Sequence, residues 1–424
     1  MIDLKDIDEP AIDRGIKTIG IGKRGSKSLS PELAAAILEE LRADDVEDTK
    51  LGAFFAALSL KGIVEDEKIL STVFRDVATL FDPEKLAREL SREAPEDIRQ
   101  LCARLLKKET LSEDEAYHLG QFLFSDTYGD KVRGFVANAL RVRYETIDEY
   151  VGLLRAMEET LDPSYRDPVP PGDPIIQISE PFDGVDHSHM ITPLVAQYLQ
   201  SLNYRAVSLL GRNSGPKFEF NLLDIAETVP LTFLGGNSGC RDPKPACGWQ
   251  LHQADLSAAV DDWVDIRHEL IKRPFLATLE KFLNPLNADI LIASAFHPPY
   301  GEKMLTVAER AGFPAAVIVR NGIEGSCAFA LKRATKLLCS VRQTSGHYLR
   351  KEMEISAPEI LGYEVEVEEK QTHPSLSENT RLIRLFAEKA KTDNPLFDAR
   401  VKVTREGLRR AVEWINNHQP KDLT

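Results

Sequence analysis

The chain has 424 residues, 43% of them hydrophobic and 28% charged, which is enough for two or three domains with real cores. A formal charge of −14 excludes a wholesale basic surface for nucleic acid, although one basic groove on an acidic protein stays open. The opening MIDLKDIDEP has neither a basic nor an apolar segment, and no apolar run reaches the roughly 18 residues of a membrane span, so a cytoplasmic protein with no membrane partner is expected.

Residues 1 to about 20 show little periodicity. From Ser28 the pattern turns helical, with Ser28 or Ser30 as cap, Pro31 in the first turn, and Leu33, Ala36, Ile37 and Leu41 at helical spacing. A second helix fits Asp48 to Gly62, with Leu51, Phe54, Phe55 and Leu58 on a broad apolar face. Further helices are expected over Glu67 to Phe81 and Pro83 to Lys108.

The first module then recurs. LSPELAAAILEELRADDVEDTKLGAFFAALSLK, from Leu29, aligns without a gap with LSEDEAYHLGQFLFSDTYGDKVRGFVANALRVR, from Leu111, a constant offset of 82. Ser30 meets Ser112, Gly52 meets Gly134, Ala57 meets Ala139 and Glu67 meets Glu149 in that register. Two copies so far apart suggest a duplicated helix-pair module, about 28–70 and 110–154, rather than a solenoid. The stretch DPSYRDPVPPGDP, with five prolines, marks a boundary. The expected division is a helical domain over 1–168 and an α/β domain with a mainly parallel sheet over 169–424.

In the second domain strands and helices alternate, as a parallel sheet requires. Strands are expected at Pro174 to Ile178, Ala206 to Leu210, Ile290 to Ala295 and Ala315 to Val319. Helices are expected at Thr192 to Leu202, Phe220 to Ala226, Ser257 to Ile271, Pro274 to Leu283 and Tyr300 to Ala311, with a charged helical tail from Leu376 to His418. The first strand, its loop and the next helix place backbone N–H groups and a helix dipole where an anion would bind. Yet that loop, SEPFDGVDHSH, holds one glycine, Gly184, and several carboxylates.

Two local clusters suggest a metal. Asp183, Asp186, His187 and His189 fall within one loop and could hold zinc or another divalent ion, whereas Asp and His in turns ordinarily serve backbone groups. Of the five cysteines, Cys102, Cys240, Cys247, Cys327 and Cys339, none has CxxC spacing. Reduced thiols fit better than a disulfide frame, with Cys240 and Cys247 as a weak metal pair.

The succession LSPELAAAILEEL, DTKLGAFFAALSLKG, a strand and loop, RHELIKRPFLATLEKFLNPLN, a strand and HPPY, then VIVRNGIEGSC resembles the anthranilate phosphoribosyltransferases of glycosyltransferase family 3. The resemblance covers most of the chain, with residues 70–168 largely an insertion. It implies a small helical domain, usually a homodimer contact, on a large α/β domain, with phosphoribosyl pyrophosphate and magnesium between them. Asp183 and Gly184 then lie in the donor loop, Gly211, Arg212 and Lys217 near the phosphates, and Arg273 and Asn284 at the anthranilate side.

Several positions depart from that pattern. Glu180, Pro181 and Phe182 stand where the family's loop has glycines, and the family's magnesium-binding acids fall at Cys327 and Ala328, leaving Glu324 as the nearby acid. Three readings follow: a transferase acting on a phosphorylated sugar with an altered donor, a binder of single-stranded nucleic acid, or a regulatory protein that kept the fold. The second reading is implied by ATLEKFLNP, which is similar to a divergent nucleic-acid-binding branch of the family. Its candidate cleft residues are Arg212, Lys217, Arg267, Lys272, Arg273 and Arg320, interleaved with Phe218, Phe220 and Phe275.

Overall fold

The computed structural model describes residues 9–22, 25–215, 220–271, 273–295, 298–366 and 373–420. Two units emerge: Met1–Glu159 with Asp262–Leu279, and Thr160–Asp261 with Glu280–Thr424. The sequence places 262–279 in the second domain; in the structure these residues group with the N-terminal helices.

The helical unit contains α1 (Ala11–Ile19), α2 (Pro31–Ala43), α3 (Asp48–Lys61), α4 (Pro83–Leu90), α5 (Glu96–Leu106), α6 (Glu113–Leu123), α7 (Asp130–Arg143) and α8 (Ile147–Glu158). Ser30 caps α2 through Leu33 N–H, and Ser112 caps α6 through Glu115 N–H. Each cap satisfies a donor that the first turn leaves open, for about 1 kcal/mol. α3 buries Phe54, Phe55, Leu58 and Leu60, and burying each such side chain is worth roughly 1.5–3 kcal/mol. Trp263, in the helix Trp263–Leu270, is buried in the same unit, donating to Leu123 O at 3.2 Å and packing on Phe124 and Phe275.

The expected helix from Glu67 to Phe81 is instead two 3-10 segments, Glu65–Val73 and Val77–Phe81. Between them Phe74 is extended and sets its ring 4.9 Å from that of Phe55, so a tertiary contact overrides the helical period. The expected helix over Pro83 to Lys108 breaks before Pro95, which occupies the N-cap of α5.

The second unit carries an eight-stranded sheet in the order β3-β4-β2-β1-β5-β6-β7-β8. Its strands are β1 (Ile175–Ser179), β2 (Arg205–Leu210), β3 (Thr232–Phe233), β4 (Trp249–His252), β5 (Ile290–Ala295), β6 (Ala315–Arg320), β7 (Thr335–Arg342) and β8 (Tyr348–Ile355). β1 to β6 pair in parallel, while β7 and β8 join antiparallel. The central strands are buried along their whole length, which explains why they read as apolar runs rather than alternating patterns.

α9 (Thr192–Ser201) follows β1, and α10 (Leu222–Thr228) follows β2. Helices Leu376–Lys389 and Pro395–His418 cover the sheet, adding Leu382, Phe397, Leu408 and Ile415 to a core shared with Ile176, Leu199, Ile292 and Val317. Of the strands missing from the sequence reading, β3 and β4 are short and β8 is heavily charged. β8 exposes Arg350, Lys351, Glu352 and Glu354, as an edge strand does to discourage further pairing. No described helix is long and apolar enough to cross a membrane.

Candidate functional site

At the carboxyl end of β1 the chain turns through Glu180 to Ile191 before α9 begins. Glu180 is buried: one carboxylate oxygen accepts from Thr192 Oγ1 at 2.7 Å, and the other accepts from Cys327 N–H at 2.9 Å. Burial raises its pKa, opposed by those two hydrogen bonds and by Lys281. Lys281 is itself buried and donates to Ser294 O at 2.9 Å. Desolvation lowers its pKa, and Asp183 is foremost among the acids holding it up.

The loop beyond is shaped by packing. Gly184 sits at φ +72°, and a Cβ there would fall 2.3 Å from Phe220 O, so the glycine admits a close backbone approach. Val185 N–H donates to that carbonyl at 3.1 Å. Phe182 is buried against Gly211, where an added Cβ would meet its ring at 2.7 Å. Asn221 ties the two segments together, its Nδ2 donating to both Phe182 O and Gly211 O at 2.9 Å. Gly211 therefore accommodates an aromatic ring, which supplies a structural reason for the glycine.

An anion cradle does form here, and the protein fills it. The Glu324 carboxylate accepts from Asp186 N–H at 3.1 Å, His187 N–H at 2.9 Å and Ser188 Oγ at 2.7 Å. To present that carboxylate Glu324 takes a left-handed backbone, φ 52°. Sequence reasoning named Glu324 as a metal candidate and had no signal for this reach across the fold.

Arg212 Nε pairs with Asp261 Oδ2 at 2.8 Å, and Asn284 Oδ1 accepts from Ala288 N–H at 2.8 Å as a local cap. Arg273 belongs to the helical unit, whereas Asp183, Gly184, Gly211, Arg212 and Asn284 belong to the other. Its carbonyl accepts from Arg141 Nη1. Lys217, Phe218 and Lys272 lie outside the described residues. Arg320 pairs with Glu352 at 3.4 Å, and Phe220 and Phe275 are buried, so neither ring offers a stacking face.

The histidines do not form a metal site with the aspartates. His187 packs edge-on to His373 at 4.4 Å between centroids, while His189 packs on Phe397 at 5.3 Å. Burial, with Arg400 adding to it, pushes the His189 pKa down to about 4. Among the described residues no group of three or more His, Cys, Asp or Glu comes together to hold a metal, and all five cysteines are free and buried. Burial also pushes the Cys327 thiol well above its ordinary range.

A solved anthranilate phosphoribosyltransferase from Thermus thermophilus matches with a TM-score of 0.57, covering 75% of this chain and 90% of that one at 20% identity. The chain has the anthranilate phosphoribosyltransferase fold. The enzyme from Saccharomyces cerevisiae matches at 15% identity and TM-score 0.50 in a complex with PRPP and Mg, over 92% of this chain and 95% of that one. A complex of the yeast enzyme with 4-fluoroanthranilate matches at 14% and 0.52, over 79% and 94%. No family model matches the sequence. An uncharacterized protein of Aquifex aeolicus (strain VF5) is 22% identical over 216 residues, 51% of this chain; the chain spans 63% of that relative's length.

Among the described residues, the positions that the resemblance assigns to magnesium do not supply its donor set. The ion takes carboxylate oxygens and water. The positions that the resemblance assigns to it are Cys327 and Ala328, both buried, and the nearby Glu180 and Glu324 carboxylates are engaged by protein N–H and O–H donors. Cys327 and Ala328 do not fit the ion.

Proposed function

We propose that this is an anthranilate phosphoribosyltransferase-like protein that has kept the fold and lost the ordinary donor, and that it acts as a regulatory or scaffold protein rather than by phosphoribosyl transfer. One observation carries the reading: the N–H groups of Asp186 and His187 and the Ser188 hydroxyl, which could cradle a donor anion, already hold the Glu324 carboxylate. Loss of a pyrophosphate leaving group rests on donors aimed at developing charge, and removing a single such donor costs about 10²- to 10³-fold in rate. Here several are occupied by the protein's own carboxylate.

The test is thermal unfolding with phosphoribosyl pyrophosphate and magnesium, where the expected result is an unchanged Tm. A ligand at 100 times its Kd would add about 2.7 kcal/mol, so a saturable, magnesium-dependent rise would overturn the proposal and restore a phosphorylated sugar as partner. Binding of single-stranded nucleic acid is a separate reading. The pairing of Arg212 with Asp261 and of Arg320 with Glu352 weighs against it. Retention of oligonucleotides that falls steeply with salt would favour it instead. The buried free thiols support a reducing, cytoplasmic setting.

A further inference from the structure

The two helical modules match in detail as well as in pattern. In the first, Glu67 is fully buried and accepts from Leu29 N–H at 2.9 Å, Val64 N–H at 3.0 Å and Lys61 Nζ at 2.8 Å. In the second, Glu149 is fully buried and accepts from Leu111 N–H at 2.9 Å, Thr146 N–H at 2.8 Å and Arg143 Nη2. Each partner stands 82 positions after its counterpart. The helix ends agree too: Gly62 and Tyr144, again 82 apart, have φ of +93° and +70°.

α3 and α7, the matching helices, cross at their matching glycines. A Cβ on Gly52 would lie 1.8 Å from Lys131 O, and one on Gly134 would lie 1.9 Å from Thr49 O. Lys131 is the counterpart of Thr49 and Gly134 that of Gly52, so each module makes the same contact on the other. Such reciprocity defines an isologous, two-fold interface.

We propose that the helical unit is a self-association interface fused into one chain, in which the second module is the partner of the first and occupies the α3 face that a second copy of the chain would otherwise take. The side chains around the crossing have diverged as an in-chain pair does. Lys131 Nζ pairs with Asp48 Oδ1 at 3.0 Å, and Tyr128 donates to Asp48 Oδ2 at 2.8 Å. Asn138 Nδ2 donates to Ala53 O at 3.0 Å, whereas its counterpart is Ala56, which has no donor to return. Two α3 faces brought together would lose all three contacts, since Lys131, Tyr128 and Asn138 correspond to Thr49, Val46 and Ala56. The α3 face therefore fits α7 better than it fits itself, and homodimerisation through either helix is displaced.

The test joins Asp48 to Lys131 with a zero-length carbodiimide in an equimolar mixture of unlabelled and nitrogen-15 full-length chains, refolded together. The expected linked peptide is wholly light or wholly heavy, and Lys131→Arg abolishes it. Mixed light–heavy product, showing that α7 comes from another copy, would overturn the proposal, as would absence of the Asp48–Lys131 peptide. A failed donor-binding experiment leaves this result untouched, because only the helical unit is read.

Discussion

Glu149→Ala is expected to destabilise the helical unit severely, and Glu67→Ala by a similar amount. The carboxylate of Glu149 is the common acceptor for Leu111 N–H, Thr146 N–H and the Arg143 guanidinium, whose side chain is only 7% exposed. Removing it leaves a nearly buried cation and two N–H groups without that acceptor. Breaking a buried pair in this way costs about 3–5 kcal/mol, well above the roughly 0–1 kcal/mol of a surface pair. Glu67 has the same arrangement with Lys61, also 7% exposed. Because there are two units, global unfolding need not be two-state, and the reading has to be local. Of the three tryptophans, Trp263 alone lies in the helical unit, so Trp249→Phe and Trp414→Phe leave its fluorescence as the reporter. For a unit of this size about 3–5 kcal/mol corresponds to a drop in Tm of roughly 6–20 °C. A loss under about 1 kcal/mol for either variant would refute the claim that these glutamates anchor the modules. A large cost at one site with none at the other would refute their equivalence.

Lys281→Met should destabilise the sheet unit by more than the roughly 0–1 kcal/mol of a surface pair, because Glu180 and Asp183 lose a buried countercharge, and adding Glu180→Gln should recover part of that loss; simple additivity in denaturant unfolding would show that the two residues are uncoupled. His189 gives a pH signature. Its folded pKa of about 4 lies below the ordinary value of 6.5, so between those limits the unfolded chain binds the extra proton and stability falls as pH falls. Each pH unit in that window is worth up to about 1.4 kcal/mol, and His189→Gln should flatten this part of the stability profile; an unchanged slope would remove the assignment. Arg212→Ala should leave any oligonucleotide retention and its salt slope unchanged, since the guanidinium is held by Asp261; a slope reduced by about one would reopen the nucleic-acid reading.

Much of the architecture is local in origin and was legible. Serine caps, Pro31 and the apolar spacing of Phe54, Phe55 and Leu58 mark the helices, because nearest neighbours along the chain set these preferences, and the constant offset of 82 between Gly52 and Gly134 marks the duplication. The runs at β1, β2, β5 and β6 announce a buried parallel sheet, because strands covered on both faces are apolar along their whole length. The glycines missing from SEPFDG likewise warned that the loop departs from the family pattern.

Long-range packing decided the rest. That α3 meets α7, that Trp263 joins the helices and that Phe74 breaks a helical period to reach Phe55 all depend on which surfaces find each other. The decisive case is Glu324, whose carboxylate crosses 138 positions of sequence to Asp186 N–H. No local pattern encodes that reach, because the donors become an anion cradle only once β1, its loop and the segment after β6 are folded together.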